Sequence, residues 1–145
     1  MWSLLIQPDG KLVAGSDELL GSESVLLARY NVDGSLDAGF GDGGEVTEPR
    51  GLTAFALGIQ ADGMIVTAGD TDPRFRSKFV LARFNTDGTV DGSFGEGGIV
   101  ATRIGSGGNL AEAHALAIQP NGRLIAAGEL EFGSRTNVVL ARYLP

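Results

Sequence analysis

The sequence predicts an all-β chain built as an array of β-propeller blades, each blade a four-stranded antiparallel meander. Three observations carry that prediction. One pattern recurs three times in register, large apolar residues alternate with small ones at a period of two, and Gly-rich turn chemistry punctuates every recurrence.

The repetition is explicit. Leu4-Leu5-Ile6-Gln7-Pro8-Asp9-Gly10-Lys11 returns as Leu57-Gly58-Ile59-Gln60-Ala61-Asp62-Gly63-Met64 and as Leu116-Ala117-Ile118-Gln119-Pro120-Asn121-Gly122-Arg123. Leu27-Ala28-Arg29-Tyr30 returns as Leu81-Ala82-Arg83-Phe84 and Leu140-Ala141-Arg142-Tyr143. A third block occurs twice, Asn31-Val32-Asp33-Gly34-Ser35-Leu36-Asp37 before Phe40-Gly41 and Asn85-Thr86-Asp87-Gly88-Thr89-Val90-Asp91 before Phe94-Gly95. The chain thus reads as a single repeat-array domain over residues 1–145, with repeats at approximately 1–40 (partial), 41–94 and 95–145.

Each element follows from local chemistry. Asp-Gly or Asn-Gly between two apolar runs marks a hairpin, because it supplies the positive φ a tight turn needs. Before that turn, Phe55, Leu57 and Ile59 alternate with Ala54, Ala56 and Gly58, and His114, Leu116 and Ile118 alternate with Ala113, Ala115 and Ala117. Period two is a strand. Met64 to Ala68 and Arg123 to Ala127 are nearly continuous apolar runs, as in strands buried on both faces. Phe79 to Phe84 and Val138 to Tyr143 follow, and after the Gly-rich turn comes a strand such as Gly98 to Thr102. Bulk on one face and Ala or Gly on the other suits sheets stacked face to face, one filling the hollow of the next. With strand A placed after the Gly-rich turn, the chain starts in B and ends in D, so the first repeat is expected to lack its A strand.

Composition narrows the function. Gly supplies 23 of 145 residues, about twice average usage, yet 43% of the chain is hydrophobic, too much for a disordered one. No Cys is present, which excludes disulfides and thiolate metal sites. A formal charge of −7 is the wrong sign for tracking phosphates, so neither a nucleic-acid nor a membrane partner is expected. The run Leu52 to Ile59 is too short to span a bilayer, and Met1 to Ile6 lacks the basic region of a signal peptide.

The combination Leu81-Ala82-Arg83-Phe84-Asn85-Thr86-Asp87-Gly88, Ser93-Phe94-Gly95 and Ile118-Gln119-Pro120-Asn121-Gly122 resembles the delta-60 repeat family. The resemblance covers nearly the whole chain and implies a bacterial, often exported, propeller-like protein with no assigned enzymatic activity, so no catalytic residue transfers. Two departures are local: Ala61 stands where the turn has Pro, and Lys11 to Gly15 is one residue shorter than Arg123 to Gly128.

Three blades do not close a ring, since propellers use about four to eight. The sequence reading therefore expects either a piece of a longer chain or assembly between copies, a homodimer of six blades being preferred to nine blades from three copies.

Asn31-x-Asp33-Gly34-x-x-Asp37 and its copy at Asn85 to Asp91 gather oxygens as calcium loops do, but Asn and Asp also form Asx-turns and caps, and the preferred assignment is no metal. Arg29, Arg83 and Arg142 recur inside apolar strands and are expected to pair with a turn carboxylate such as Asp37 or Asp91. His114 occupies the position of Phe55 and is read as packing, because metal ligation needs partners. No Ser-His-Asp set, phosphate loop or paired glycosidase carboxylates emerges; Glu18, Asp70, Asp72, Glu129 and Glu131 are available without a visible pairing. No cofactor is expected.

The B–C and D–A turns are regular, whereas the loops Ser16 to Ser24, Glu48 to Thr53, Asp70 to Lys78, Arg103 to Glu112 and Glu129 to Asn137 vary, and irregular loops on a rigid scaffold are where binding resides. Within them Arg74, Phe75, Arg76, Phe132 and Arg135 are the candidate ligand-binding residues, suited to an anionic, glycan or protein ligand. The expected function is a non-enzymatic structural or interaction scaffold, with a lectin-like propeller and then an orphan hydrolase as alternatives.

Overall fold

The computed structural model describes residues 3–16, 25–47, 52–71, 77–105 and 110–144. These carry eleven strands and no helix: β1 (Ser3–Ile6), β2 (Leu12–Gly15), β3 (Val25–Tyr30), β4 (Glu45–Thr47), β5 (Ala56–Ile59), β6 (Ile65–Asp70), β7 (Phe79–Phe84), β8 (Ile99–Thr102), β9 (Leu110–Ile118), β10 (Leu124–Phe132) and β11 (Arg135–Tyr143). They form three antiparallel meanders, β1-β2-β3-β4, β5-β6-β7-β8 and β9-β10-β11.

The pairing sets the phase of the repeat. Ala28 pairs with Glu45 and Ala82 with Ile99, so each Gly-rich turn lies inside a sheet. The strand expected to open the following blade instead closes the preceding one. Consequently the first sheet has four strands and the third sheet three, the reverse of the first-repeat deficit read from the sequence. The physical reason is the turn itself. Gly44 donates to Phe40 O at 2.8 Å and Gly41 sits at φ +57, so the chain reverses tightly enough for β4 to pair with β3.

Hairpin turns repeat as expected. The amide of Gly10 donates to Gln7 O, that of Gly63 to Gln60 O and that of Gly122 to Gln119 O, each at 2.9 Å. The side chains of Asp9, Asp62 and Asn121 accept the amide two residues on, as Asx-turns do.

Two apolar cores lie between the three sheets. Val13, Leu27, Phe40, Ile65, Val80 and Phe84 fill the space between the first and second sheets. Val66, Phe79, Leu81, Phe94, Leu124 and Ala126 fill that between the second and third. The size alternation of β5 works as stacking requires: Leu57 packs on the first core, while a Cβ on Gly58 would lie 2.9 Å from Ile118 Cδ1 and 3.1 Å from Leu116 Cδ2. Large side chains of β9 occupy the hollow that Gly58 leaves.

Two of the three arginines of the apolar strands, Arg29 and Arg83, pair with turn carboxylates, whereas Arg142 is exposed. Arg29 Nε donates to Asp37 Oδ2 at 2.7 Å and its guanidinium lies 4.4 Å from the Phe40 ring centroid. Arg83 repeats this with Asp91 at 2.6 Å and Phe94 at 4.7 Å. Arg29 reaches further, donating through Nη1 to Thr86 O of the second sheet at 2.6 Å, beside the Gly41 N to Asp87 O bond at 2.7 Å.

Hydrogen bonds from Lys11, the Gly39 amide and Arg29 hold the Asp37 carboxyl at about 2, below its ordinary 3.8. A folded-state value below the unfolded one adds stability that is complete above about pH 4 and is lost as the pH falls toward 2. The urea midpoint of the protein is expected to fall across that window, and Asp37→Asn to shrink the fall; an identical pH profile in the variant would refute the assignment.

Candidate functional site

Topology divides the molecule into a regular end, bearing the Gln-x-Asp/Asn-Gly turns, and an opposite end where the sheets differ. Chemistry concentrates at the second. Arg74, Phe75 and Arg76 lie outside the described residues. Phe132 and Arg135 are placed there, directly opposite each other at the tip of the β10–β11 hairpin, with Gly133 at φ +61 making the turn. Residues 129–137 are therefore a strand pair with a two-residue turn, not the irregular loop expected from their composition. Strand pairing runs on because β10 and β11 stay in unbroken register from Leu124↔Tyr143 to Phe132↔Arg135. Phe132 is 57% exposed.

The expected Asx-turn oxygens are used inside their own turns. Asp33 Oδ1 accepts from the Ser35 amide and hydroxyl at 3.0 and 2.6 Å, and Asp87 does the same with Thr89 at 2.9 and 2.6 Å. These bonds hold both carboxyls below their usual range.

A second constellation lies at the same end and was only partly visible in the sequence. In β9 and β10, Ala115 pairs with Ala127 but Ala113 pairs with Gly128, so His114 is an extra residue, a β-bulge. Bulges re-aim side chains, and they are frequent beside functional sites. One step on, Glu112 and Glu129 pair directly across the strands. His114 Nε2 lies 3.6 Å from Glu112 Oε2 and 3.6 Å from Glu129 Oε1. The three ligand atoms fall within 4.8 Å of one another. On its other side the His114 ring stands 5.3 Å from that of Phe55, at 42°.

Gly128 makes the close approach possible. A Cβ there would collide with the carbonyl oxygen of Glu112, so no other residue admits the strand crossing at this point.

Repeat equivalence shows what is special about the third sheet. Residues 112, 114 and 129 correspond to Thr53, Phe55 and Asp70 of the second. There the pair is closed on itself: the Thr53 hydroxyl donates to Asp70 Oδ1 at 2.5 Å, and the Asp70 amide donates to Thr53 Oγ1 at 2.8 Å. Asp70 is buried, and desolvation, reinforced by the charge of Glu112 and opposed by the Thr53 hydroxyl and by His114, pushes its carboxyl up to about 6. In the third sheet the same two positions carry two carboxylates and the aromatic has become an imidazole.

His114 therefore has the partners that sequence reading did not give it. Glu129 was visible as an available carboxylate; Glu112 was not singled out. The missing information is the bulge, which brings residues 112, 114 and 129 together without any sequence-local motif. A repeat alignment supplies the available signal, since all three positions change chemistry at once.

A family model described as a domain of unknown function (DUF5122) beta-propeller matches residues 7–40, 60–94 and 119–145. No curated protein and no solved structure matches.

Proposed function

Since the chain belongs to the DUF5122 β-propeller family, we propose that it is a non-enzymatic interaction scaffold that completes its ring by docking head to tail on a second copy of itself. One observation carries this reading: the two outward sheet faces are the two halves of the interface that already occurs twice within the chain.

On the first sheet, Leu4 and Ile6 are 58% and 67% exposed, although their counterparts Leu116 and Ile118 fill the hollow at Gly58. On the third sheet, Val138 and Leu140 are 85% and 69% exposed, although their counterparts Phe79 and Leu81 are fully buried. Small Ala115 and Ala117 lie exposed on β9, where β5 has Ala56 and Gly58. Knobs at one end of the array thus match a hollow at the other. Contiguous apolar surface of this kind marks an association site. Two copies carry six sheets, inside the usual propeller range of about four to eight. The contact is heterologous, and it closes when the rotation between sheets fits.

The motif shared with delta-60 repeats supports the same scaffold reading. The exposed Phe132 opposite Arg135 supports a lectin-like variant of it, in which the ring presents aromatic and guanidinium groups to a glycan.

Light scattering over a concentration series is expected to give twice the chain mass. Leu4→Glu and Leu140→Glu should each reduce it to the single chain, and mixing the two variants should restore a dimer, because one native head still meets one native tail. A single-chain mass for the unmodified protein at every concentration would overturn the proposal.

A further inference from the structure

We infer that Glu112, His114 and Glu129 form a divalent-metal site, of the mixed nitrogen–oxygen kind that takes Zn2+, at the variable end of the third sheet.

Distance carries the argument first. A separation of 3.6 Å from the imidazole nitrogen to each carboxylate oxygen is too long for a hydrogen bond. An ion bound at about 2.0–2.2 Å to the imidazole nitrogen and to a carboxylate oxygen spans such a gap with about 120° between the two bonds, and the three ligand atoms lie within 4.8 Å of one another.

Charge supplies an independent reason. Glu112 and Glu129 stand directly opposite across the strands, an arrangement that is destabilising for like charges. Direct cross-strand pairing places Glu112 and Glu129 on the same side of their sheet. A buried acid, Asp70, adds negative potential from the adjoining sheet. A bound dication turns the repulsion between the two glutamates into coordination.

The donor set selects the ion. An imidazole with two carboxylates suits zinc better than calcium, which prefers six to eight oxygens. Three protein ligands leave a coordination position open, and His114, 44% exposed at its side chain, puts that position toward solvent. An oxygen ligand on whatever docks at this end can fill it. All three ligands come from one chain, so the site does not depend on ring closure.

The test is zinc titration of the full chain after chelator treatment, followed by calorimetry and by the shift in unfolding temperature. One Zn2+ per chain is expected, and Co2+ should give the visible bands of a low-coordinate nitrogen–oxygen site. His114→Phe and Glu112→Thr copy the residues of the second sheet, and each should weaken zinc at least tenfold. Glu112→Gln should do so while raising the metal-free unfolding temperature by about 2 °C, since one of two opposed charges is gone. Binding should persist in Leu4→Glu, which separates this site from the assembly proposal. If the unmodified chain binds no zinc at 100 μM, or if His114→Phe or Glu112→Gln binds it as tightly, the site is refuted. Should the repeat-copying variants fail to fold, Glu112→Gln and Glu129→Gln decide the matter alone.

Discussion

Phe79→Ala lowers the stability of the chain by about 4 kcal/mol, while Val138→Ala, at the same place in the next repeat, changes it by less than about 0.5 kcal/mol. The contrast follows from position in the array. Phe79 is fully buried in the core between the second and third sheets, so truncation removes its contacts and leaves a cavity that close-packed neighbours cannot fill. Val138 is 85% exposed in the single chain. Urea unfolding at a concentration too low for association measures both. Near-equal losses would mean that the third sheet is covered in the single chain. At higher concentration the proposed head-to-tail docking predicts that Val138→Ala begins to cost stability, because a second copy would bury that face.

Arg29→Ala is expected to cost about 3 kcal/mol, and Arg83→Ala about half as much. Both arginines hold a turn carboxylate and stack on an aromatic ring, and both are largely buried. Only Arg29 has a described bond across to the next sheet, through Nη1 to Thr86 O, whereas Arg83 uses its terminal nitrogen on Ser93 Oγ at 3.4 Å within its own turn. Truncation at 29 therefore breaks a sheet-to-sheet tie as well as an ion pair and leaves the Thr86 carbonyl without that donor. Lys11 still reaches Asp37 at 2.8 Å, which keeps the loss from being larger. Arg29→Lys should not restore stability, because an ammonium cannot serve Asp37 and Thr86 with one planar fork. Equal losses for the two arginines, read from denaturant midpoints, would remove the cross-sheet bond from the account.

Legibility in the sequence followed the range of the interaction. Hairpins at Gln7, Gln60 and Gln119, the repeat period of 53–59 residues and the pairing of Arg29 with Asp37 and Arg83 with Asp91 were all readable, because each depends on residues a few positions apart or on a repeated spacing. The phase of the blades was not. The same Gly-rich turn can join two strands of one sheet or link two sheets, and only the pairing of β3 with β4 and of β7 with β8 decides between them.

The candidate metal site shows the same limit more sharply. His114 was conspicuous as the lone histidine, and Glu129 as one acid among several. Their meeting with Glu112 depends on a single extra residue in β9, and a one-residue offset turns side chains to the other face of a strand.

The sequence by itself determined the all-β class, the threefold repeat, the turns and the buried arginine–carboxylate pairs, since local backbone chemistry and side-chain alternation suffice for these. Tertiary structure alone decided which strands share a sheet, which equivalent residues are buried or bare, and which titratable groups converge. Those outcomes depend on what lies across the gap from a residue, and neighbours in space are specified by packing and strand register rather than by any one stretch of chain.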